Sequence, residues 1–186
     1  NIAITLNNLA NNYKNMKQYK RADDYYLQSL TMYRGISQSA DSFGIARTLH
    51  SLAINYTHMK QYNKAEDYYL QALSTYGQIS QGANCVNIAT TLGNLAGNYS
   101  AMGQYKKAED LYLQALSMYT KISQGADIMN IAKPLNNLAV NFQHMKQYDK
   151  AEKYYLRALS RFRKISQGSY SVDIANTLNN RAHNYY

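Results

Sequence analysis

The side chains capable of chemistry in this 186-residue sequence are mostly amides and cations. Its four histidines, His50, His58, His144 and His183, are scattered, with no spacing typical of metal ligands or of a catalytic acid and base. Cys85 is the only cysteine, which excludes a disulfide framework and a cysteine-based metal site. No nucleophile lies beside a base, and there is no phosphate-binding loop or pair of carboxylates. We therefore expect a protein that binds another molecule, with no catalysis, no metal and no cofactor.

A strict period must position the binding groups. The dipeptide Ile-Ala returns every 43 residues, at Ile2, Ile45, Ile88, Ile131 and Ile174. From Ile2 to Met16, apolar residues recur at steps of three and four, which predicts a helix, named helix A. After a break at Lys17 and Gln18, the same spacing continues to Ile36 and predicts a second helix, helix B. Each repeat is thus a helical hairpin.

The repeat boundaries carry helix start and stop residues. The residue before each later Ile-Ala is predicted to begin helix A, and these residues are Gly44, Asn87, Asn130 and Asp173. Glycines just beyond helix B are predicted to end it, at Gly82, Gly125 and Gly168. The sequence therefore predicts one array over residues 1–186, with repeats at about 2–44, 45–87, 88–130 and 131–173 and a partial repeat at 174–186.

Small residues mark where the two helices of a repeat must approach closely. They are Ala10, Ala53, Ala96 and Ala139 in helix A, and Ala22, Ala65, Ala108 and Ala151 in helix B. Tyrosines such as Tyr26 and Tyr69 are predicted to fill the core opposite them. A single hairpin leaves apolar surface uncovered unless a neighbour stacks on it. We predict an all-α fold, a right-handed α-solenoid of stacked antiparallel hairpins with helix A on the inner wall.

The predicted inner wall is rich in amides and carries no anion, because all eleven acidic residues fall in helix B or in connections. Its exposed columns begin at Asn7 and Asn8, with Arg47 and Lys133 one turn earlier on the same face. Asparagine both donates to and accepts from a peptide backbone, while Arg and Lys attract carboxylates. We expect a groove for an extended, acidic peptide or a chain terminus, lined by Asn8, Arg47, His50, Ser51, Gly93, Asn94, Gly97, Lys133, Asn136, Asn137, Val140 and Asn180.

Two glycines interrupt this wall. Gly93 and Gly97 are four residues apart in helix A of the third repeat, where each glycine costs about 1 kcal/mol relative to alanine. With Ser100 and Ala101 they leave a bare patch. The patch either receives a bulky side chain of the ligand or reflects neutral drift in one repeat of a stable array.

The stretches IATTLGNLAGNY (Ile88–Tyr99) and QYKKAEDLYLQALSMY (Gln104–Tyr119) resemble the tetratricopeptide repeat, specifically the long variety of kinesin light chains. The resemblance covers the whole chain and implies a helical solenoid that binds protein or peptide partners without catalysis. Some relatives clamp a terminal carboxylate with a Lys or Arg one turn before an asparagine, and Lys133 with Asn137 resembles half of that arrangement. The connection ISQGANCVN (Ile79–Asn87) lacks the His-Pro-Asp pattern of kinesin light chains, so cargo transport is not implied.

A basic stripe offers an alternative site. Lys150, Lys153, Arg157, Arg161 and Lys164 are spaced by three or four residues, which places all five on one face of the fourth helix B. Such a stripe could meet nucleic acid phosphates or an acidic protein surface, or it could be a solvated face. A third alternative is a structural spacer, or a self-associating element, of a larger signalling protein.

A further expectation concerns the packing of successive repeats. An asparagine precedes the last aromatic residue of each helix A, at Asn12, Asn55, Asn98, Asn141 and Asn184, and we expect a buried ladder that fixes the repeat register.

The sequence begins at Asn1 and ends within a repeat, so we expect a piece of a longer protein. The net charge of +9 favours anionic partners, although nucleic acid is the less favoured class. One cysteine and no long apolar run favour a cytoplasmic protein without a membrane span.

Overall fold

A computed structural model describes residues 2–35, 42–79, 85–122, 128–165 and 172–183, and these residues form nine α-helices. Helix A of the successive repeats is α1 (Ile2–Asn15), α3 (Ser42–His58), α5 (Cys85–Ala101), α7 (Ile128–His144) and α9 (Val172–Ala182). Helix B is α2 (Tyr19–Gly35), α4 (Tyr62–Gln78), α6 (Tyr105–Ile122) and α8 (Tyr148–Ile165). No strand occurs among the described residues, and the all-α prediction is confirmed.

The contacts of the chain fall into two compact units, residues 1–98 and 99–186. In the first unit α1 packs on α2 and α3 packs on α4, while α3 also contacts α1 and α2. In the second unit α7 packs on both α6 and α8, and α9 packs on α8. The first unit thus contains the hairpins α1–α2 and α3–α4, and the second contains the hairpin α7–α8 between α6 and α9.

The same turn joins helix A to helix B in every repeat. The Gln18 amide donates to the Tyr13 carbonyl oxygen at 2.9 Å, and the equivalent bond recurs in the other three complete repeats. The residue just before that glutamine has positive φ each time, at Lys17, Lys60, Gly103 and Lys146. A left-handed residue of this kind ends a helix. The predicted break at Lys17 and Gln18 is confirmed.

Alanines and tyrosines form the core as predicted. All eight alanines at the predicted helix crossings are fully buried. Tyr26, Tyr69 and Tyr155 are buried as well, so their rings pack in the space that the alanines leave.

Helix A begins earlier than predicted in the later repeats. The helices start at Ser42, Cys85, Ile128 and Val172, so the four predicted start residues, Gly44, Asn87, Asn130 and Asp173, lie inside the first turn and their assignment as caps is wrong. Gly44 is instead required by packing, because a Cβ atom there would lie 2.5 Å from a ring carbon of Tyr33. Asp173 also places one acid in a helix A, where none was expected. The predicted stop residues Gly82, Gly125 and Gly168 lie outside the described residues.

A buried amide bond repeats between neighbouring hairpins. The side-chain Nδ2 of Asn55 donates to the Tyr19 carbonyl oxygen at 2.9 Å. The bond recurs one and two repeats later, from Asn98 to Tyr62 and from Asn141 to Tyr105, at 2.9 Å each. These bonds join the end of one helix A to the start of the preceding helix B, which confirms the register ladder. Asn12 has no preceding repeat among the described residues and is exposed, and Asn184 lies outside them.

Removing one member of this asparagine ladder should destabilise the array. In Asn98→Ala the Tyr62 carbonyl and the Thr57 hydroxyl both lose the side chain to which they bond, so we expect unfolding to become easier by about 2 kcal/mol. Asn12→Ala is the matched control, and its exposed amide should contribute less than about 0.5 kcal/mol. Urea denaturation followed by circular dichroism measures both changes. Equal effects would contradict a register role for the buried amides.

Candidate functional site

Helices α1 and α3 and residues 85–98 of α5 present the inner face of the first unit, and part of that face is used for packing. The Asn7 amide donates to the Thr48 hydroxyl at 2.9 Å, which buries Asn7 to 2% exposure. Ser51 lies beside the Tyr26 hydroxyl, where it opposes the rise in pKa that burial causes, and is also buried. The expectation that Asn7 and Ser51 are exposed is therefore wrong. Their polar groups face a neighbouring helix, where a hydrogen bond offsets the loss of water.

His50 bridges two successive A helices. Its Nδ1 lies 2.8 Å from the Thr91 hydroxyl and its Nε2 lies 3.2 Å from the Asn94 amide nitrogen. Burial and the nearby Lys14 ammonium lower the pKa of His50 to about 4. The imidazole is thus neutral near pH 7, and its two polar partners lie on α5. His50 therefore links α3 to α5, and both of its ring nitrogens already have partners within the chain.

Lys14 and Asn11 extend the polar network on α1. Asn11 donates to the Asn7 side-chain oxygen at 3.2 Å and accepts from the Tyr26 hydroxyl at 2.8 Å. The Lys14 ammonium donates to the same Asn11 oxygen at 3.2 Å, and burial lowers the pKa of Lys14. Lys14 forms no ion pair with any carboxylate in the described part of the chain. A half-buried cation is therefore balanced here only by a neutral amide.

Arg47 is the second cation of this face. It is half-buried on α3, and its Nε is buried without a hydrogen-bond partner. The described acids of the first unit, Asp23, Asp24, Glu66 and Asp67, all lie on α2 and α4. The A helices of this unit thus offer Arg47 no carboxylate among the described residues.

The remaining predicted residues of the first unit differ in accessibility. Asn8 is exposed, while Asn94 and Gly97 are half-buried. A Cβ atom added at Gly93 would meet nothing within 4 Å, so space is open above the helix there. Gly93 is one of the four residues of the predicted bare patch, and the open space holds for that residue.

The second unit carries its own part of the predicted set. Lys133 and Asn137 are exposed one turn apart on α7, while Asn136, Val140 and Asn180 are half-buried. The Asn136 side-chain oxygen is buried without a hydrogen-bond partner. The exposed Lys133 and the exposed amide of Asn137 can take a carboxylate and a backbone group from a ligand.

Asn11 and Lys14 are not among the residues predicted to line the groove. Asn11 follows Asn7 by four residues and Lys14 follows Asn11 by three, so helical spacing alone assigns both to the same face. What the spacing does not reveal is burial, which depends on how closely α3 packs against α1.

The other histidines and the surface depressions lie away from this network. His58 stacks on Tyr19 and His144 stacks on Tyr105, with ring centres 5.4 and 5.5 Å apart. Depressions of 480 and 440 Å³ occur at the A–B turns of the first and fourth repeats, around Tyr19 and Tyr148. Among the described residues, no three His, Cys, Asp or Glu side chains group around a possible metal position. No described helix is long and apolar enough to cross a membrane.

The buried neutral imidazole makes stability depend on pH. Above pH 6.5, His50 is neutral in both the folded and the unfolded chain, and its packing is fully effective. Between pH 6.5 and about 4 only the unfolded chain gains the proton, so stability should fall by up to about 3 kcal/mol. His50→Asn is the matched control, because Asn7 makes the equivalent bond to Thr48. The midpoint of urea unfolding should fall more from pH 7.5 to pH 4.5 in the parent chain than in the control. Parallel losses would contradict a neutral, buried His50.

Comparison with known proteins agrees with the hairpin geometry. The family model for the tetratricopeptide repeat matches residues 1–78, 44–121 and 130–186. No curated protein sequence matches the chain significantly.

Solved structures share the fold at low sequence identity. BtubC (BKLC) from P. vanneervenii is 22% identical, with a TM-score of 0.80, over 95% of this chain and 69% of that one. A kinesin light chain-like protein of Podosopora anserina with nearly identical TPR-like repeats is 17% identical, with a TM-score of 0.74, over 97% and 84% of the two chains. Aspartyl phosphate phosphatase F from Bacillus subtilis is 17% identical, with a TM-score of 0.86, over 98% of this chain and 45% of that one.

These likenesses establish a helical repeat solenoid, and the family match extends over most of the sequence. The chain belongs to the tetratricopeptide-repeat family, whose arrays are protein-interaction scaffolds.

Proposed function

We propose that the inner face of the first unit binds an extended acidic peptide segment of a partner protein, without catalysis. The observation that supports it is the pair of half-buried cations Lys14 and Arg47 on the A helices, which have no carboxylate partner among the described residues. Uncompensated cations that are partly withdrawn from water are destabilising. A carboxylate from a ligand would offset that cost with a charge-assisted hydrogen bond.

The spacing of the two cations defines the length of the segment. Arg47 occupies the position of Ile4 in its repeat, and Lys14 lies ten residues beyond Ile4. Ten helical residues correspond to about 15 Å along the helix direction. An extended peptide covers that distance in about four to five residues. The preferred ligand should therefore carry two acidic groups at least about four residues apart.

Amides between the cations suit the peptide backbone. Asn8 is exposed, and the side-chain oxygen of Asn94 accepts no hydrogen bond within the described part of the chain. Asparagine offers both donors and an acceptor to a peptide unit. Such contacts would hold the backbone regardless of sequence, so the cations would supply the preference for acidic side chains.

The second unit is proposed to contribute in the same chemical way through Lys133, Asn136 and Asn137. Its exposed Lys133 matches a carboxylate, and the exposed amide of Asn137 matches a backbone group, with the half-buried Asn136 beside them. Val140 and Asn180 complete this predicted set. Substitutions in the two units test the two sets independently.

Selection from a displayed random peptide library tests the proposal directly. Enriched peptides should contain paired Asp or Glu residues, and their affinity should fall at least tenfold in the variant Lys14→Thr with Arg47→Thr. These replacements are mild, because Thr57 and Thr90 occupy the same positions in other repeats. The control, Lys20→Gln with Lys60→Gln, removes two exposed cations away from this face and should bind normally.

Enriched peptides without acids, or equal binding by both variants, would contradict the proposal for the first unit. The second set is tested with Lys133→Ala and Asn137→Ala in the same assay. Loss of binding only in that variant would move the site to the second unit.

The open space at Gly93 gives a separate test of contact with the ligand. Gly93→Ala and Gly77→Ala both add a methyl group where nothing lies within 4 Å, so each should raise stability by about 0.5–1 kcal/mol. Only Gly93 lies on the inner face. Affinity for the selected peptides should therefore drop in Gly93→Ala and stay constant in Gly77→Ala. Unchanged affinity in both variants would favour neutral drift at Gly93.

A further inference from the structure

The outer face of α8 carries an unusual concentration of positive charge. Its basic stripe consists of Lys150, Lys153, Arg157, Arg161 and Lys164, and all five side chains are exposed. The residues follow one another at steps of three or four, so they form a row about 21 Å long on one side of the helix.

The other three B helices show which of these charges are specific to α8. Lys150 has a counterpart in every repeat, namely Arg21, Lys64 and Lys107. Each of these cations lies 5.1–5.6 Å from the centre of the last aromatic ring of its own helix A. Lys150 is therefore part of the hairpin itself, and it needs no ligand to account for it.

Three neighbouring positions change together in α8 alone. The position of Lys153 is Asp24, Asp67 or Asp110 in the other repeats, and that of Arg157 is Gln28, Gln71 or Gln114. The position of Arg161 is Met32, Thr75 or Met118. In an array of such similar repeats, three changes that all add positive charge to one helix face indicate that this face requires positive charge.

No carboxylate of the described residues compensates these charges. Lys153, Arg157, Arg161 and Lys164 form no ion pair there. Glu152, the acid beside Lys153, is engaged by Arg181, whose Nε lies 2.8 and 2.9 Å from its two carboxylate oxygens. Like charges one turn apart on a helix destabilise it by a few tenths of a kcal/mol per pair. An external polyanion would remove this repulsion.

The surroundings of the stripe favour one class of polyanion. The Arg157 guanidinium lies 5.1 Å above the Tyr154 ring, and Lys150 covers the buried Phe142. Of the described rings, the two beside the stripe, Tyr154 and Phe142, are therefore covered and not open for stacking with bases, which supplies about 1–3 kcal/mol per base in single-strand binding. Leu156, 48% exposed, flanks the row one turn from Lys153; its counterparts in the other repeats are also exposed, and only here does the leucine lie beside a basic row and offer that row an apolar contact. A partner helix supplies both an apolar residue and acids at the same three- and four-residue steps.

We propose that the outer face of α8 is a second docking surface, which binds an acidic amphipathic helix of a partner protein. Lys153, Arg157 and Arg161 contact its carboxylates, and Leu156 contacts its apolar edge. This surface lies on a B helix and does not require the peptide-binding face of the A helices.

The test measures fluorescence anisotropy of a labelled helical peptide whose glutamates follow the steps of the stripe and whose other edge carries leucine. The variant Lys153→Asp, Arg157→Gln and Arg161→Thr gives α8 the residues of the second repeat, Asp67, Gln71 and Thr75, so it should fold normally. At about 0.15 M salt we expect its affinity to fall at least tenfold.

A charge-matched control separates the stripe from net charge. The test variant loses two charge units at Lys153 and one each at Arg157 and Arg161, and the control Lys20→Gln, Arg34→Gln, Lys60→Gln and Lys121→Gln loses the same total at exposed positions elsewhere. The control should retain the affinity of the parent chain. Equal losses in the two variants would overturn the proposal.

Two further probes decide the class of ligand. A scrambled peptide of the same composition, which cannot align its acids on one helix face, should bind at least tenfold more weakly than the helical peptide. A single-stranded oligonucleotide of similar length should also bind more weakly. If the scrambled peptide or the oligonucleotide binds as tightly as the helical peptide, the stripe is a general polyanion surface and the proposal is wrong.

Discussion

The buried amide bond between repeats is the interaction on which the rest of the structure depends. The Asn55 side chain holds the end of α3 against the first residue of α2, and Asn98 and Asn141 repeat this contact. Hydrophobic packing alone is not directional, and it would allow one hairpin to slide past the next. A buried amide N–H that must reach one particular carbonyl oxygen allows only one height, because any other leaves that donor unpaired. In the first unit Asn7 and His50, which are equivalent residues, therefore meet the equivalent neighbours Thr48 and Thr91.

That fixed register decides which polar groups remain for a ligand. Asn7 meets Thr48 and His50 meets Thr91, each pair 41 residues apart in sequence, so these polar groups are used between helices. Lys14 and Arg47 differ, because no carboxylate among the described residues reaches either of them. The structure thus divides one polar face into groups that join repeats and cations that lack an anion. Only these cations would make the face bind an acidic partner in preference to another kind.

The sequence predicted most of the fold, because its strongest signals are local or strictly periodic. The 43-residue spacing, the alanine positions and the asparagine ladder all follow from identity at equivalent positions, and the structure confirms them. The predicted helix start at Gly44 shows why such assignments were wrong. In sequence the glycine resembles a helix cap, whereas in the structure it is needed because the Tyr33 ring leaves no room for a side chain. The burial of Asn7 and Ser51 was missed for the same reason. Each depends on the distance to a neighbouring helix, which a pattern along one helix does not contain.

Repetition also provides an internal reference for function. A residue shared by all repeats is explained by what every hairpin needs, as the four cations above the helix A aromatic rings show. A residue that departs in one repeat must be explained by that repeat alone.

Departures scattered around a helix are expected from drift, since most exposed positions tolerate substitution. The changes on α8 are not scattered, because Lys153, Arg157 and Arg161 share one face and one sign of charge. Selection on the fold cannot account for them, since the second repeat forms the same hairpin with Asp67, Gln71 and Thr75. Specificity in such an array therefore lies where a repeat differs from its neighbours, and stability lies where the repeats agree.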